Sequence, residues 1–287
     1  MSIGGLRRRG ATACTGVAAA LLIAGCSGGG ERVDSVPGEQ RTARMATSVG
    51  LAPYEVLGAD GKTVEGFEPD YVNEMARRAG VQLEWIPTNY ESLMPGVSAG
   101  RYDIAGNGMF NTQARSEQFD MLNYFADSSV LLVTRGNPLG IKDFDDVCGR
   151  TVAVQAGSKY PDTVARLSRE HCESSGRPAI MTISYGDPAG HVLLMQQGRA
   201  DATATARLVA DYASHVGGSD LEPVDTTTFD ETTYALIFPK GSPLVEPFRH
   251  ALQTMIDDGT YATISDRWGL QGGRIAMATI GMPPEGK

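Results

Sequence analysis

The histidines and cysteines of this chain are the side chains best suited to metal, redox or nucleophilic chemistry, and their spacing excludes most of it. His171, His191, His215 and His250 form no HxxxH or HExxH pair, the spacing that sets two imidazoles on one helical face for zinc. No acid pair stands out as a general acid and base. Neither a metal nor a cofactor is expected.

Of the 4 cysteines, two belong to an N-terminal leader. Arg7, Arg8 and Arg9 precede an apolar stretch from Ala11 to Ala24, closed by Leu22-Ile23-Ala24-Gly25-Cys26. A basic segment, a short apolar segment and small residues before a cut site read as an export signal over 1–25. Leu-x-Ala-Gly-Cys resembles the bacterial lipobox, which implies that Cys26 is diacylated and becomes the mature N-terminus. Ser27-Gly28-Gly29-Gly30 opens a flexible tether over 26–42. Buried acyl chains contribute about 0.8 kcal/mol per methylene, enough for a multiply acylated cysteine to hold a body at the outer face of the cell membrane, or on its periplasmic side. Cys14 leaves with the leader, so Cys148 and Cys172 remain. In an oxidising compartment they are expected to pair, closing a loop of about 24 residues and adding about 3 kcal/mol.

A body of roughly 245 residues is long enough for one large or two modest domains. With 41% hydrophobic and 21% charged residues it reads as globular, and its net charge of −9 argues against a nucleic-acid partner. Past Cys26 no apolar run approaches the ~20 residues of a membrane helix.

Strands and amphipathic helices alternate from Ala43 onward. Strands are expected over Arg44–Val49, Val81–Pro87, from Asp103, and over Val130–Thr134. Glu68-Pro69-Asp70 opens a helix that places Val72, Met75 and Ala76 on one face and stops at Gly80; Ser92–Ala99 is a shorter one. A second set has strands at Thr151–Gln155, Ala179–Ser184 and Ala200–Ala204, with helices over Pro161–Cys172 and His191–Gln197. Two such sets, separated near Gly136-Asn137-Pro138, point to two α/β lobes. Tyr234–Phe238 is one more strand, and Leu244, Phe248, Leu252 and Ile256 line a helix ended by Gly259. Beyond Gly272 the polar end reads as loosely held.

In order along the chain stand Ala52-Pro53-Tyr54-Glu55, Gly66-Phe67-Glu68-Pro69-Asp70-Tyr71, Leu93-Met94-Pro95-Gly96-Val97 and Gly100-Arg101-Tyr102-Asp103-Ile104. Thr112-Gln113-Ala114-Arg115, Thr151-Val152-Ala153-Val154-Gln155-Ala156-Gly157-Ser158, Gly198-Arg199-Ala200-Asp201-Ala202 and Asp258-Gly259-Thr260-Tyr261 with Arg267-Trp268-Gly269 follow. Together these motifs resemble the family 3 solute-binding proteins of bacterial ABC importers. The resemblance implies a type II periplasmic-binding-protein fold, α/β in two lobes joined by two crossing segments. Lobe one would span 43–134 with the return over 231–272, lobe two 135–230, and a tail 273–287. It implies a monomer that closes on a small carboxylate-bearing solute and delivers it, without chemistry, to a membrane permease and its ATPase. Arg115 matches the arginine that grips the ligand carboxylate. Asn107 and Gly108 match the backbone that approaches the ligand, Ser158 the second-lobe loop that completes the carboxylate cage, and Tyr90 an aromatic wall.

Departures from the pattern bear on the ligand. Ala206 stands where an aspartate usually pairs with the ligand ammonium, and Phe110 where a hydroxyl is usual. Ser48 replaces an early acid and Leu51 an aromatic. An ammonium enclosed without a carboxylate is strongly disfavoured, so either Glu55 or Asp187 substitutes, or the ligand lacks a standard α-ammonium. Arg207 would favour a dicarboxylate if it faced the cleft. Two other functions remain open: a cleft repurposed as a dehydratase-like enzyme, and an orphan sensory binding lipoprotein.

Overall fold

The computed structural model describes residues 41–50, 52–187, 189–215 and 220–282. The signal, Cys26, the tether up to residue 40 and Leu51 lie outside the described residues; Arg41 and Thr42, expected in the tether, already pair as strand with Val81 and Gln82. The first strand, β1 (Arg41–Thr47), is followed by the short pair β2 (Val56–Leu57) and β3 (Val64–Glu65), then helix α1 (Phe67–Ala79). Pro69 and the acids Glu68 and Asp70 sit in the first turn of α1 and Arg77 and Arg78 in its last, each charge at the end of the helix dipole that favours it. Gly80 ends it in the left-handed region at φ 69°, returning its N–H to Ala76 and Arg77. Next come β4 (Val81–Pro87), α2 (Leu93–Ser98), β5 (Ile104–Ala105) and α3 (Gln113–Gln118).

A 16-residue strand, β6 (Phe119–Thr134), leads into the second set: β7 (Thr151–Gln155), α4 (Tyr160–Leu167), β8 (Met181–Tyr185), α5 (Gly190–Gln196), β9 (Ala202–Ala206) and α6 (Arg207–His215). A 19-residue strand, β10 (Leu221–Pro239), returns to the first set, where α7 (Val245–Asp257), α8 (Thr260–Arg267) and β11 (Thr279–Ile280) complete the chain.

One sheet runs in the order β4-β1-β5-β10-β6-β9-β7-β8. β1 is parallel to β4 and β5, and β7 is parallel to β8 and β9. Between the two parallel groups β6 and β10 lie antiparallel. At one end β10 meets β5 through Ile237, and at the other β6 meets β9 over Ser129–Leu132. The two long strands are therefore the crossing segments of a two-lobed molecule. Phe67, Met75, Phe248 and Leu252 fill the face under α1 and α7, Leu93, Val97, Met121 and Ile237 fill the opposite face, and Val130, Leu132, Leu194 and Met195 pack in the second set.

Three differences from the sequence reading have physical causes. Val130–Thr134 and Tyr234–Phe238 are the apolar ends of strands whose polar middles carry no hydrophobic period. Beyond Gly272 the described residues, 273–282, are packed: Ile275 and Ala278 are buried, and β11 adds to β6 at Leu122 and Asn123. It occupies an edge that β9 leaves open in this half of β6, and Gly281 O accepts from Asn111 and Asn123. Helices α3, α6 and α8 carry too short an apolar pattern to announce themselves. The expected disulfide is present, with Cys148 and Cys172 at a Cα separation of 5.5 Å.

Candidate functional site

A cleft opens where the ends of β1 and β5 face the start of α4 and the end of β9. The first group contributes Tyr54, Tyr90, Asn107, Gly108, Phe110 and Arg115; the second contributes Gln155, Ser158, Lys159, Tyr160, Thr205, Ala206 and Val209. The two sides touch: Arg115 on the first reaches Gly157 O on the second at 3.3 Å. Gly157 makes this contact possible. A Cβ on it would lie 2.9 Å from Glu91 Cα.

Each side chain is held by local structure. Arg115 is the third residue of a helix capped by Thr112, whose hydroxyl accepts from Arg115 N at 3.3 Å. The residue is 7% exposed, and its guanidinium donates to Phe110 O at 2.8 Å and, across the cleft, to Gly157 O at 3.3 Å. Both partners are backbone carbonyls, and among the described residues it forms no ion pair. Ser158 Oγ donates to Gln155 O at 2.7 Å and accepts from Tyr160 N at 3.2 Å, which fixes the turn into α4. Gly108 is at φ 55°, and a Cβ there would meet the Tyr54 ring at 2.6 Å.

A sequence model of the bacterial extracellular solute-binding proteins, family 3, matches residues 43–271. The chain belongs to this family. It is 30% identical over 236 residues to an arginine-binding protein of Corynebacterium glutamicum, covering 81% of this chain and 75% of that one. It is 26% identical over 269 residues to an L-cystine-binding protein of Escherichia coli K12, covering 92% and 97%. Among solved structures, an ancestral arginine-binding protein bound to glutamine superposes with a TM-score of 0.71 at 27% identity, covering 81% of this chain and 99% of that one.

The cleft holds most of the residues expected to line it. Of the expected site residues, Arg115, Asn107, Gly108, Phe110, Tyr90 and Ser158 all line it, as does Ala206. Ser48 does not; its carbonyl accepts from Asn107 Nδ2 at 2.7 Å. Arg207 points elsewhere, pairing with Asp211 at 2.8 Å and Asp225 at 2.9 Å. Asp187 uses a carboxylate oxygen to accept from Ala189 N at 2.8 Å and does not line the cleft.

Glu55 lies beneath the cleft floor rather than in it. It accepts from Asn107 Nδ2 and lies within the field of Glu68, whose carboxyl accepts from Gly108 N at 2.6 Å and from the Tyr124 hydroxyl. Burial pushes Glu68 up to about 7; burial, and then the charge of Glu68, push Glu55 well above the carboxylate range. The pair thus braces the Asn107-Gly108 backbone from below.

Lys159 was not legible as a site residue. A lysine after a Gly-Ser turn at a helix start reads as a solvated surface charge, yet its side chain is only 8% exposed. Tyr54 also lines the cleft, and its hydroxyl donates to Tyr234, which donates to Asp127 on β6. Gly96-Val97-Ser98-Ala99-Gly100 has the Gly-x-Ser-x-Gly spelling of a nucleophile elbow, but it ends α2 instead of turning from strand to helix, and Ser98 is exposed.

Proposed function

We propose that the chain is the substrate-binding lipoprotein of an ABC importer, exported under its leader, held by acyl chains on Cys26 at the outer face of the membrane, and acting as a monomer. It captures a small carboxylate-bearing solute between two closing lobes and presents the closed form to a permease and its ATPase. The lobes are 43–134 with 231–272, and 135–230. Curated relatives named as arginine-, cystine- and probable amino-acid ABC-transporter-binding proteins support this role.

One observation carries the carboxylate reading: Arg115 is buried in the cleft wall with only carbonyl partners. A buried guanidinium that lacks an acid is completed by a bidentate anion. Binding without catalysis is the reading we hold, because the buried acid pair among the described residues, Glu55 and Glu68, lies under the cleft and is engaged with the Asn107 side chain and Gly108 N. An ancestral amino-acid-binding protein described as a precursor of cyclohexadienyl dehydratase, with a TM-score of 0.67 at 25% identity, keeps the enzymatic alternative in the fold's reach.

Calorimetry of the full-length chain in mild detergent, against amino acids and organic acids, tests the reading. Arg115→Ala is expected to lower affinity for the bound carboxylate by about 100-fold or more while the melting temperature without ligand stays within a few degrees. Unchanged affinity removes Arg115 from the contact.

A further inference from the structure

We propose that Lys159 is a second anion-recognising group of the cleft, so that the solute carries two carboxylates and no ammonium. This rests on Arg115 as the grip for the first carboxylate. Among the described residues, Arg115 and Lys159 are the charged side chains lining the cleft, and no aspartate or glutamate lines it with them. An α-ammonium entering this space would meet two cations and, at Ala206, a methyl group. A second carboxylate would meet an enclosed cation without a full partner.

The surroundings of Lys159 show how incomplete its pairing is. Its Nζ lies 3.8 Å from the centroid of the Phe110 ring and 5.8 Å from that of Tyr160, a cation–π contact that holds the ammonium at the cleft wall. The nearest acid is Asp230, whose Oδ2 is 3.7 Å away and whose carbonyl accepts from Nζ at 3.2 Å. That carboxylate is already committed at shorter range, to Arg166 at 2.9 Å and to Thr163 Oγ1 at 2.8 Å. Burial pushes Lys159 down to about 8, and Arg115 adds to the push against the pull of Asp230 and Asp127. An arriving anion relieves both penalties at once. The hydroxyl usual at Phe110 would offer a hydrogen bond to an amino acid. The ring found there offers its face to a cation instead, so two departures from the family pattern, Ala206 and Phe110, share one explanation.

Calorimetry with malonate, succinate, glutarate and adipate, against butyrate, glutamine and arginine, tests the assignment on full-length wild type, Lys159→Met, Lys159→Arg and Arg115→Ala. One of the dicarboxylates is expected to bind wild type at least about 100-fold more tightly than butyrate, and Lys159→Met to remove most of that advantage. Lys159→Arg should restore it to within about tenfold, since it returns the charge. Above pH 8 the wild type should take up protons on binding, measured in two buffers of different ionisation heat, and Lys159→Met should not. Lack of binding by every dicarboxylate overturns the proposal, as does equal affinity of Lys159→Met. Binding of glutamine or arginine that depends on Arg115 but not on Lys159 overturns it while sparing the Arg115 reading. Binding that ignores Arg115→Ala defeats that reading itself.

Discussion

Replacing Glu68 by glutamine should make the protein more stable at neutral pH and flatten the way stability falls with pH. Both Glu55 and Glu68 are fully buried, and burial holds both carboxyls above their ordinary range, so the native state holds protons that an unfolded chain would release. Glu68 moves from an ordinary value of 4.5 to about 7 in the folded protein. Its stabilising contribution is therefore complete below about pH 4.5 and disappears as pH rises through 7, the reverse of a salt-bridged carboxylate. Each tenfold in proton affinity is worth about 1.4 kcal/mol, so the interval corresponds to about 3 kcal/mol. Glutamine has the same shape: its oxygen can accept from Gly108 N and Tyr124 while its amide faces Glu55. Urea unfolding, followed by the fluorescence of Trp85 and Trp268 at half-unit steps from pH 4.5 to 8, gives the difference between variant and wild type directly. That difference should swing by about 3 kcal/mol toward the variant across the range. Asp127, which burial pushes up to about 6, is present in both proteins and cancels. Parallel profiles would show that Glu68 is not the titrating group.

Two further changes test the scaffold around the cleft. A Cβ at Gly106 would fall 1.9 Å from Glu68 Oε1 and 2.9 Å from Leu236 and Met45; Gly106→Ala should cost about 1–3 kcal/mol, and less in a Glu68→Ala background, so equal costs in the two backgrounds would refute the contact. Removing the disulfide, whose cysteines are 24 residues apart, by the Cys148→Ser/Cys172→Ser double substitution should lower unfolding free energy by about 3 kcal/mol. A loss below about 1 kcal/mol in urea unfolding would contradict the loop-closure account.

The site was legible where its residues sit in strings of local sequence with a backbone reason to be there. Arg115 follows its own N-cap at Thr112, Gly108 has positive φ against Tyr54, and Ser158 closes the turn into α4. Lys159 has no such signature. Its burial comes from Phe110, on another segment, and from Asp230, 71 residues away, and no local pattern encodes either neighbour. Arg207 erred the other way: a cation next to Ala206 in sequence is the first residue of α6, where it pairs with Asp211 one turn on and with Asp225.

The crossing strands pose the same problem on the scale of the fold. A strand with one buried face announces itself by alternation, but β6 and β10 pass from one hydrophobic core to another and must be polar between them. Asp127-Ser128-Ser129 and Thr226, Thr228, Asp230 and Glu231 occupy that passage. The breaks in β10 register between Pro223 and Thr228 and between Phe229 and Thr232 lie along the same stretch. Asp127 accepts there from Tyr234 on the neighbouring strand, from Ser128 N at 2.8 Å and from Leu208 N at the start of α6 at 3.1 Å. Its polar side chain belongs to a joint that ties both strands to a helix end, and Tyr234 extends that joint to Tyr54 on the cleft wall. Hydrophobic period marks the two cores and falls silent between them, so the polar gap within each long strand marks the passage from one lobe to the other.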